Sequence, residues 1–325
     1  MYAVISAFSK SFDDLGLIYK IPIEFTNSIK VWQILEIPFK SSTEIWVILT
    51  IKKSITTNFD DSKIKEIISI KNTTIFLSGY RLKLLWWIAS NYFTAIHNSH
   101  NLFFPKNLTT KIKNNKINAE IEKQTSISYN YSFIHDLKLS NSQETAFNQI
   151  SSSKNNKNLL YWLTWSWKTE IYIKLIKKYL NEWKQSLLLI PEIILSNQIS
   201  TKIKKVFWES VIIINSTITD ATKTKYWLDI NNNNARIIIW TRSALFYPYT
   251  NLWLIIIDEE HDNSYVSDSS PRYNSIEVAN KITELNWNKL LLASWTPSII
   301  SMHKALKWDY DLINLLEVYN KKNNE

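Results

Sequence analysis

Two glycines in 325 residues leave this chain almost nowhere to place a left-handed turn without steric cost. Average usage of about 7% would supply roughly 23. The same chain carries 15 tryptophans, normally among the rarest residues. Many of them stand where a turn is expected instead of within an apolar face. Asn181-Glu-Trp-Lys184 falls between a helix-like stretch and the apolar run Leu187 to Ile190, where a helix-ending glycine belongs. Val31-Trp-Gln33, Phe207-Trp-Glu209, Asn251-Leu-Trp253, Asn286-Trp-Asn288 and Lys307-Trp-Asp309 likewise read better as glycine turns.

One reading accounts for both anomalies: UGA encodes glycine in the source of this gene and has been read here as tryptophan. It predicts UGA codons at Trp32, Trp46, Trp162, Trp165, Trp167, Trp183, Trp208, Trp240, Trp253, Trp287 and Trp308. Trp87 and Trp227 sit in packed helical contexts and are expected to be genuine, while Trp86 and Trp295 stay open. A non-glycine residue forced left-handed costs roughly 1–2 kcal/mol and overpacking typically about 1–3 kcal/mol. Even half of these sites would remove much of a typical stability of about 5–15 kcal/mol.

The length allows two domains with real cores, and an apolar fraction of 45% is that of a globular chain. The N-terminus does not resemble a signal peptide, and no apolar run approaches a membrane span, so the expected location is the cytoplasm, off the membrane. With no cysteine there is neither a disulfide frame nor a thiolate zinc site. A net charge of +9 suits a polyanionic partner, although a Lys- and Asn-rich coding bias would also produce it.

Residues 1–105 alternate short apolar runs, Val31 to Phe39 and Glu44 to Ile51, with polar turns, then finish in a helical pattern from Arg81 to Phe93. That predicts a small β-rich domain with a helical end. Residues 106–138 turn polar and read as a linker. Across 139–325, apolar runs recur between amphipathic stretches: Leu159 to Tyr161, Leu187 to Ile190, Val211 to Ile214, Ile237 to Ile239, Leu254 to Ile257 and Leu290 to Ala293. Such runs fit buried parallel strands with helices on both faces, an α/β domain.

With glycine restored, Trp162 to Thr169 spells GLTGSGKT, a strand-loop-helix phosphate cradle in which backbone amides surround phosphates at a helix N-terminus. Lys168 would neutralise phosphate charge and the Thr169 hydroxyl would hold Mg2+. Leu254-Ile-Ile-Ile-Asp-Glu-Glu-His261 is a buried strand ending in carboxylates, of which Asp258 would bind Mg2+ and Glu259 polarise the attacking water. Arg81, Arg236, Arg242 and Arg272 are the only arginines, and a planar fork suits phosphate contacts. His261 has no partner at metal-ligand spacing, so it is expected to bond to the segment Ser294 to Ser298.

The run from Tyr161 to Ser298, with the ordered set GLTGSGKTE, LLLIPEI, IIIGTRSALFYPYTNLGLIIIDEEHD, PRYN and TPS, resembles the first ATPase lobe of the primosomal replication-restart helicases, a superfamily 2 family. Ser11-Phe-Asp-Asp14 and Val31-Trp-Gln-Ile-Leu-Glu-Ile-Pro-Phe39 resemble that family's domain for the 3′ end of a nascent strand. The resemblance implies a P-loop, RecA-like lobe behind a small β-rich DNA-binding domain, and an ATP- and Mg2+-dependent 3′-to-5′ helicase acting at stalled forks. It implies forked and single-stranded DNA, 3′ ends and other primosome proteins as partners.

Carried over by position, Asp13 would face the terminal 3′ nucleotide and Gln143 would read adenine. Trp162, Thr164, Trp165, Ser166, Trp167, Lys168, Thr169 and Glu170 would surround the nucleotide. Arg242 would contact the DNA backbone, and Tyr265, Arg272 and Tyr273 would lie in an aromatic-rich loop that stacks on bases. The family pattern breaks at Asn274-Ser-Ile276 and at Lys40, and residues 106–138 are short for the usual winged-helix domain. The second lobe, the zinc module and the C-terminal domain have no counterpart here. The chain is therefore expected to be the N-terminal portion, with any C-terminal half separately encoded, binding nucleotide weakly and not unwinding DNA alone. The competing expectation is a fork-binding remnant without turnover. Indoles truly present at 162, 165 and 167 are expected to block the cradle.

Overall fold

The computed structural model describes residues 1–7, 17–55, 60–72, 79–114, 116, 138–162, 168–191, 198–207, 210–214 and 218–315. The chain divides into two compact units, Met1–Ser126 and Ile127–Glu325. No helix among the described residues is long and apolar enough to cross a membrane.

In the first unit β1 (Tyr2–Ala7), β2 (Leu17–Lys20), β3 (Ile34–Phe39), β4 (Ser42–Lys52) and β5 (Ser69–Asn72) form an antiparallel sheet in the order β2-β1-β4-β3-β5. Phe39 pairs with Ser42 across a two-residue hairpin turn in which Lys40 takes φ 51. Strand alternation sends Leu35, Ile37, Trp46 and Ile48 into one core with Ala3, Ile5, Tyr19 and Ile67. The helices α1 (Tyr80–Asn91), α2 (Ile96–His100) and α3 (Lys106–Lys113) follow. The polar stretch read as a linker thus opens with α3. Leu108 and Ile112, four residues apart in KNLTTKIK, are buried, and the helix contacts β4 and β5.

The second unit runs α4 (Asn141–Ser152), β6 (Lys157–Trp162), α5 (Lys168–Asn181), β7 (Gln185–Leu189), α6 (Gln198–Phe207), β8 (Val211–Ile213), α7 (Asp220–Asn231), β9 (Ile237–Trp240), β10 (Leu252–Asp258), α8 (Ser275–Asn286), β11 (Lys289–Ser294), α9 (Ile299–Leu306) and β12 (Asp311–Leu315). The strands form one parallel sheet in the order β12-β6-β11-β10-β7-β9-β8. Leu160, Leu188, Ile239, Ile256 and Leu291 share a core with Ile150, Ile176 and Ile203 from α4, α5 and α6. Their alternates Leu159, Leu187, Ile238, Ile255 and Leu292 are buried too, as a sheet covered on both faces requires. Each apolar run singled out in the sequence is a strand. The edge strand β12 was not anticipated, because Asp311-Leu-Ile-Asn-Leu315 is short and interrupted by polar residues.

Among the described residues, four tryptophans occupy left-handed backbone. Trp183, Trp287 and Trp308 end α5, α8 and α9 with φ 61, 59 and 65, and Trp32 takes φ 74 ahead of β3. Two of these helix ends close by Schellman bonds: Lys184 N donates to Tyr179 O at 3.0 Å, and Asp309 N to Lys304 O at 2.9 Å. The three helix-ending indoles are 66%, 75% and 85% exposed, so little packing offsets their strain. After α7 the same position holds Asn233, φ 57, the residue besides glycine that best tolerates it. Trp87 and Trp227 lie inside α1 and α7, Trp227 fully buried. Trp46, Trp240 and Trp253 are strand residues with ordinary φ, so the backbone makes no demand for glycine there. Trp165, Trp167 and Trp208 lie outside the described residues.

Candidate functional site

A parallel sheet gathers the carboxyl ends of its strands on one edge, which is where α/β folds place ligands. Here that edge brings the start of α5, following β6, to the end of β10. Lys168 Nζ lies 2.6 Å from Asp258 Oδ1 and 2.5 Å from Glu259 Oε1. All three residues expected to carry the chemistry therefore meet. Thr169 is half-buried in the first turn of α5, and Thr164, Trp165, Ser166 and Trp167 lie outside the described residues. The Trp162 ring centroid is 3.8 Å from Lys168 Nζ, so an indole covers the ammonium that would meet phosphate.

Asp258 is fully buried, and Tyr172 donates to its Oδ1 at 2.8 Å. Burial pushes the Tyr172 hydroxyl well above its ordinary pKa, so it remains a donor. Glu259 takes φ 49, a strained conformation for a non-glycine residue at a strand end, and such strain concentrates at working sites. Burial, above all, raises its carboxyl; Asp258 adds to the rise and Lys168 opposes it. Asp258 Oδ2 and Glu259 Oε2 are buried without a hydrogen-bond partner. Carboxylate and hydroxyl oxygens are the ligand type Mg2+ takes, and the orphaned Asp258 Oδ2 with the Thr169 hydroxyl fits that ion beside a nucleotide. Among the described residues no group of three or more His, Asp or Glu could hold a metal by itself, whereas P-loop Mg2+ sites use few side chains plus phosphate.

The next two residues tie this strand end to the end of β11 and to the start of α9. His261 Nδ1 lies 2.7 Å from Ser294 Oγ, the bond expected from sequence. Glu260, which sequence reasoning passed over, is buried and accepts from Ser298 N at 2.6 Å, Ser298 Oγ at 3.1 Å and Ser301 Oγ at 3.0 Å. Glu170, expected beside the nucleotide, pairs with Lys202 of α6.

The residues expected to read nucleobase and DNA sit differently. Gln143 is buried in the first turn of α4, its Oε1 accepting from Ser140 N at 2.9 Å while its own N donates to Ser140 Oγ at 3.3 Å. That is a capping box, which the Ser-x-x-Gln spelling of Ser140 to Gln143 also signals. Arg242 folds back onto the segment 264–268: Nη1 donates to Ser264 O at 2.7 Å and Val266 O at 3.0 Å, and Nη2 lies 3.4 Å from Asp268 Oδ2. Tyr265 is 2% exposed and donates to Asp258 O at 2.6 Å, with Leu189 O at 3.2 Å. Tyr273 is 3% exposed and meets Phe246 edge-on at 4.9 Å. In this conformation neither ring offers a face for base stacking, because each fills the core under its own loop. Arg272 is exposed, and Asp13 lies outside the described residues.

A parallel sheet with a helix-borne lysine facing paired carboxylates at the end of a central strand is the arrangement of the first lobe of helicase-type P-loop proteins. Residues 136–297 match the family model described as type III restriction enzyme, res subunit, and residues 8–105 match the PriA 3'DNA-binding domain. The replication restart protein PriA of Rickettsia prowazekii is 33% identical over 265 residues, 82% of this chain and 39% of that protein. That of Bacillus subtilis is 36% identical over 190 residues, 57% of this chain and 24% of that protein. A solved structure of RecG bound to a three-way DNA junction aligns with TM-score 0.44 and 20% identity, covering 76% of this chain and 31% of that one. The chain belongs to the PriA family and corresponds to its N-terminal region. It spans well under half the length of these relatives.

Proposed function

We propose that this chain supplies the 3′-end-binding domain and first ATPase lobe of a replication-restart helicase that unwinds forked DNA in the 3′-to-5′ direction. Its partners are then forked and single-stranded DNA and the other proteins of the primosome. The working loop carries glycine at 162, 165 and 167. One observation supports this above the rest: Lys168 is held between Asp258 and Glu259 while one oxygen of each carboxylate stays buried without a hydrogen-bond partner. ATP with Mg2+ would bring phosphates for Lys168 and a cation for the orphaned oxygens. Lys168 would then turn from the carboxylates to phosphate, Thr169 and Asp258 would hold the ion, and Glu259, with its raised pKa, would be placed to accept a proton from water.

The test is Mg-ATP binding by the chain with glycine at 162, 165 and 167, beside the same chain carrying Lys168→Ala. Binding by the first and loss in the second is the expected result. No nucleotide binding by the glycine form would overturn the assignment of the loop. The indole over Lys168 favours a second reading for the chain as spelled, a module that holds 3′-ended DNA without turnover. DNA binding by the chain as spelled, with no nucleotide binding at any concentration, would select it.

A further inference from the structure

The pair Asp258 and Lys168 does not by itself determine which carboxylate oxygen faces a cation. Asp258 can rotate about its Cβ–Cγ bond, and Lys168 can follow either oxygen. Tyr172 removes that freedom. It stands one turn beyond Lys168 on α5, at the i,i+4 spacing that stacks two side chains on one helix face. Its hydroxyl donates to Asp258 Oδ1 at 2.8 Å, and Lys168 Nζ meets the same oxygen at 2.6 Å. Oδ2 has no hydrogen-bond partner, and all of this lies in the interior.

The backbone is held as well. The Tyr265 hydroxyl donates to Asp258 O at 2.6 Å, so side chain and main chain of this residue are each fixed by a buried tyrosine. The two donors on Oδ1 differ in one respect. Lys168 is drawn away when phosphate enters, whereas Tyr172 is a neutral group packed within the helix core with no phosphate to follow.

We propose that Tyr172 is a positioning residue that keeps Asp258 Oδ1 occupied, leaving Oδ2 free for the divalent cation that accompanies the nucleotide. The proposal rests on the ATP-site reading above. It distinguishes Tyr172 from an ordinary core tyrosine, whose hydroxyl only needs some acceptor.

The experiment uses the full chain with glycine at 162, 165 and 167, a fluorescent ADP analogue and titrated Mg2+. Tyr172→Phe keeps the ring and removes the donor. A hydrogen bond to a charged group is worth enough that its loss should raise the Mg2+ concentration at half-saturation on the order of tenfold. Affinity for the analogue in excess chelator should not change. Tyr179→Phe, the same edit further along α5, should leave both quantities alone. An unchanged Mg2+ requirement in Tyr172→Phe overturns the proposal, as does an equal loss of affinity with and without Mg2+, which would mark a packing role. Should that variant not fold, Tyr172→Met, which fills the space without a donor, is read in the same way. No binding by the glycine chain itself would overturn the ATP-site reading instead.

Discussion

His261 Nδ1 lies 2.7 Å from Ser294 Oγ, and that oxygen also accepts from Thr296 N at 3.1 Å. Beside it, buried Glu260 gathers three donors from Ser298 and Ser301. The acidic strand end is thus held twice, to the end of β11 by a partly exposed imidazole and to the start of α9 by a buried carboxylate. The two links should differ in strength. His261→Ala should cost about 1 kcal/mol, a typical net hydrogen bond, whereas Glu260→Ala strands the buried Ser301 hydroxyl and two part-buried donors of Ser298 and should cost about 3 kcal/mol. Urea unfolding midpoints compare them, and equal losses would show that burial does not set the ranking.

The left-handed tryptophans make the codon reading testable in the folded chain. Trp183→Gly, Trp287→Gly and Trp308→Gly should each stabilise by roughly 1 kcal/mol, since glycine removes the αL penalty and these indoles are largely exposed. Trp227→Gly, inside α7 and fully buried, should destabilise by about 4 kcal/mol or more. Mass spectrometry of the native polypeptide should find glycine at 183, 287 and 308 and tryptophan at 227. UGG codons at the first three would sink the reading.

Much of this molecule was legible in the sequence because its signals are local. Uninterrupted apolar runs marked the buried strands, and the spelling Lys168-Thr169 at a helix start, followed by an acidic strand end, pointed to Lys168, Asp258 and Glu259, which the fold brings together. Tyr172 left no such mark: on the apolar face of an amphipathic helix a tyrosine reads as core, and only the fold shows its hydroxyl reaching another element. Tyr265 and Tyr273 illustrate the converse. Aromatic residues in a polar loop suggest stacking on bases, but whether a loop turns its rings outward or tucks them beneath itself depends on contacts distant in sequence, here Leu189 and Phe246. Lys106–Lys113 looked like linker because composition outweighed the spacing of Leu108 and Ile112.

The first unit carries a built-in acid sensitivity. His100 is buried with Nδ1 3.2 Å from Ser6 Oγ, and burial, with His97 adding to it, depresses its pKa from 6.5 to about 3. A depressed pKa contributes stability that is fully present above the unfolded value and lost as pH falls through the folded one. Each proton involved gives up to about 1.4 kcal/mol per pH unit. Between pH 6.5 and 5, before most carboxylates titrate, amide exchange in β1 and α2 should report a falling stability. In His100→Gln the same curve should be flatter. Parallel curves for the two proteins would remove His100 as the cause.

Arg242 offers a last and sharper test, because two roles for it predict different losses. Its fork bridges the carbonyls of Ser264 and Val266 and reaches Asp268, pinning the loop that presents Tyr265 to Asp258. Lysine keeps the charge but cannot bridge two carbonyls in a plane. If Arg242 serves as a loop clamp, Arg242→Lys should raise amide exchange across 263–268 several-fold while the salt dependence of DNA binding stays the same. A residue that instead neutralised a phosphate would, on Arg242→Gln, reduce the slope of log affinity against log salt by about one. Since the guanidinium is already satisfied by the loop, the expected outcome is faster exchange in both variants and an unchanged slope in both. An altered slope with an undisturbed loop would return Arg242 to the DNA surface.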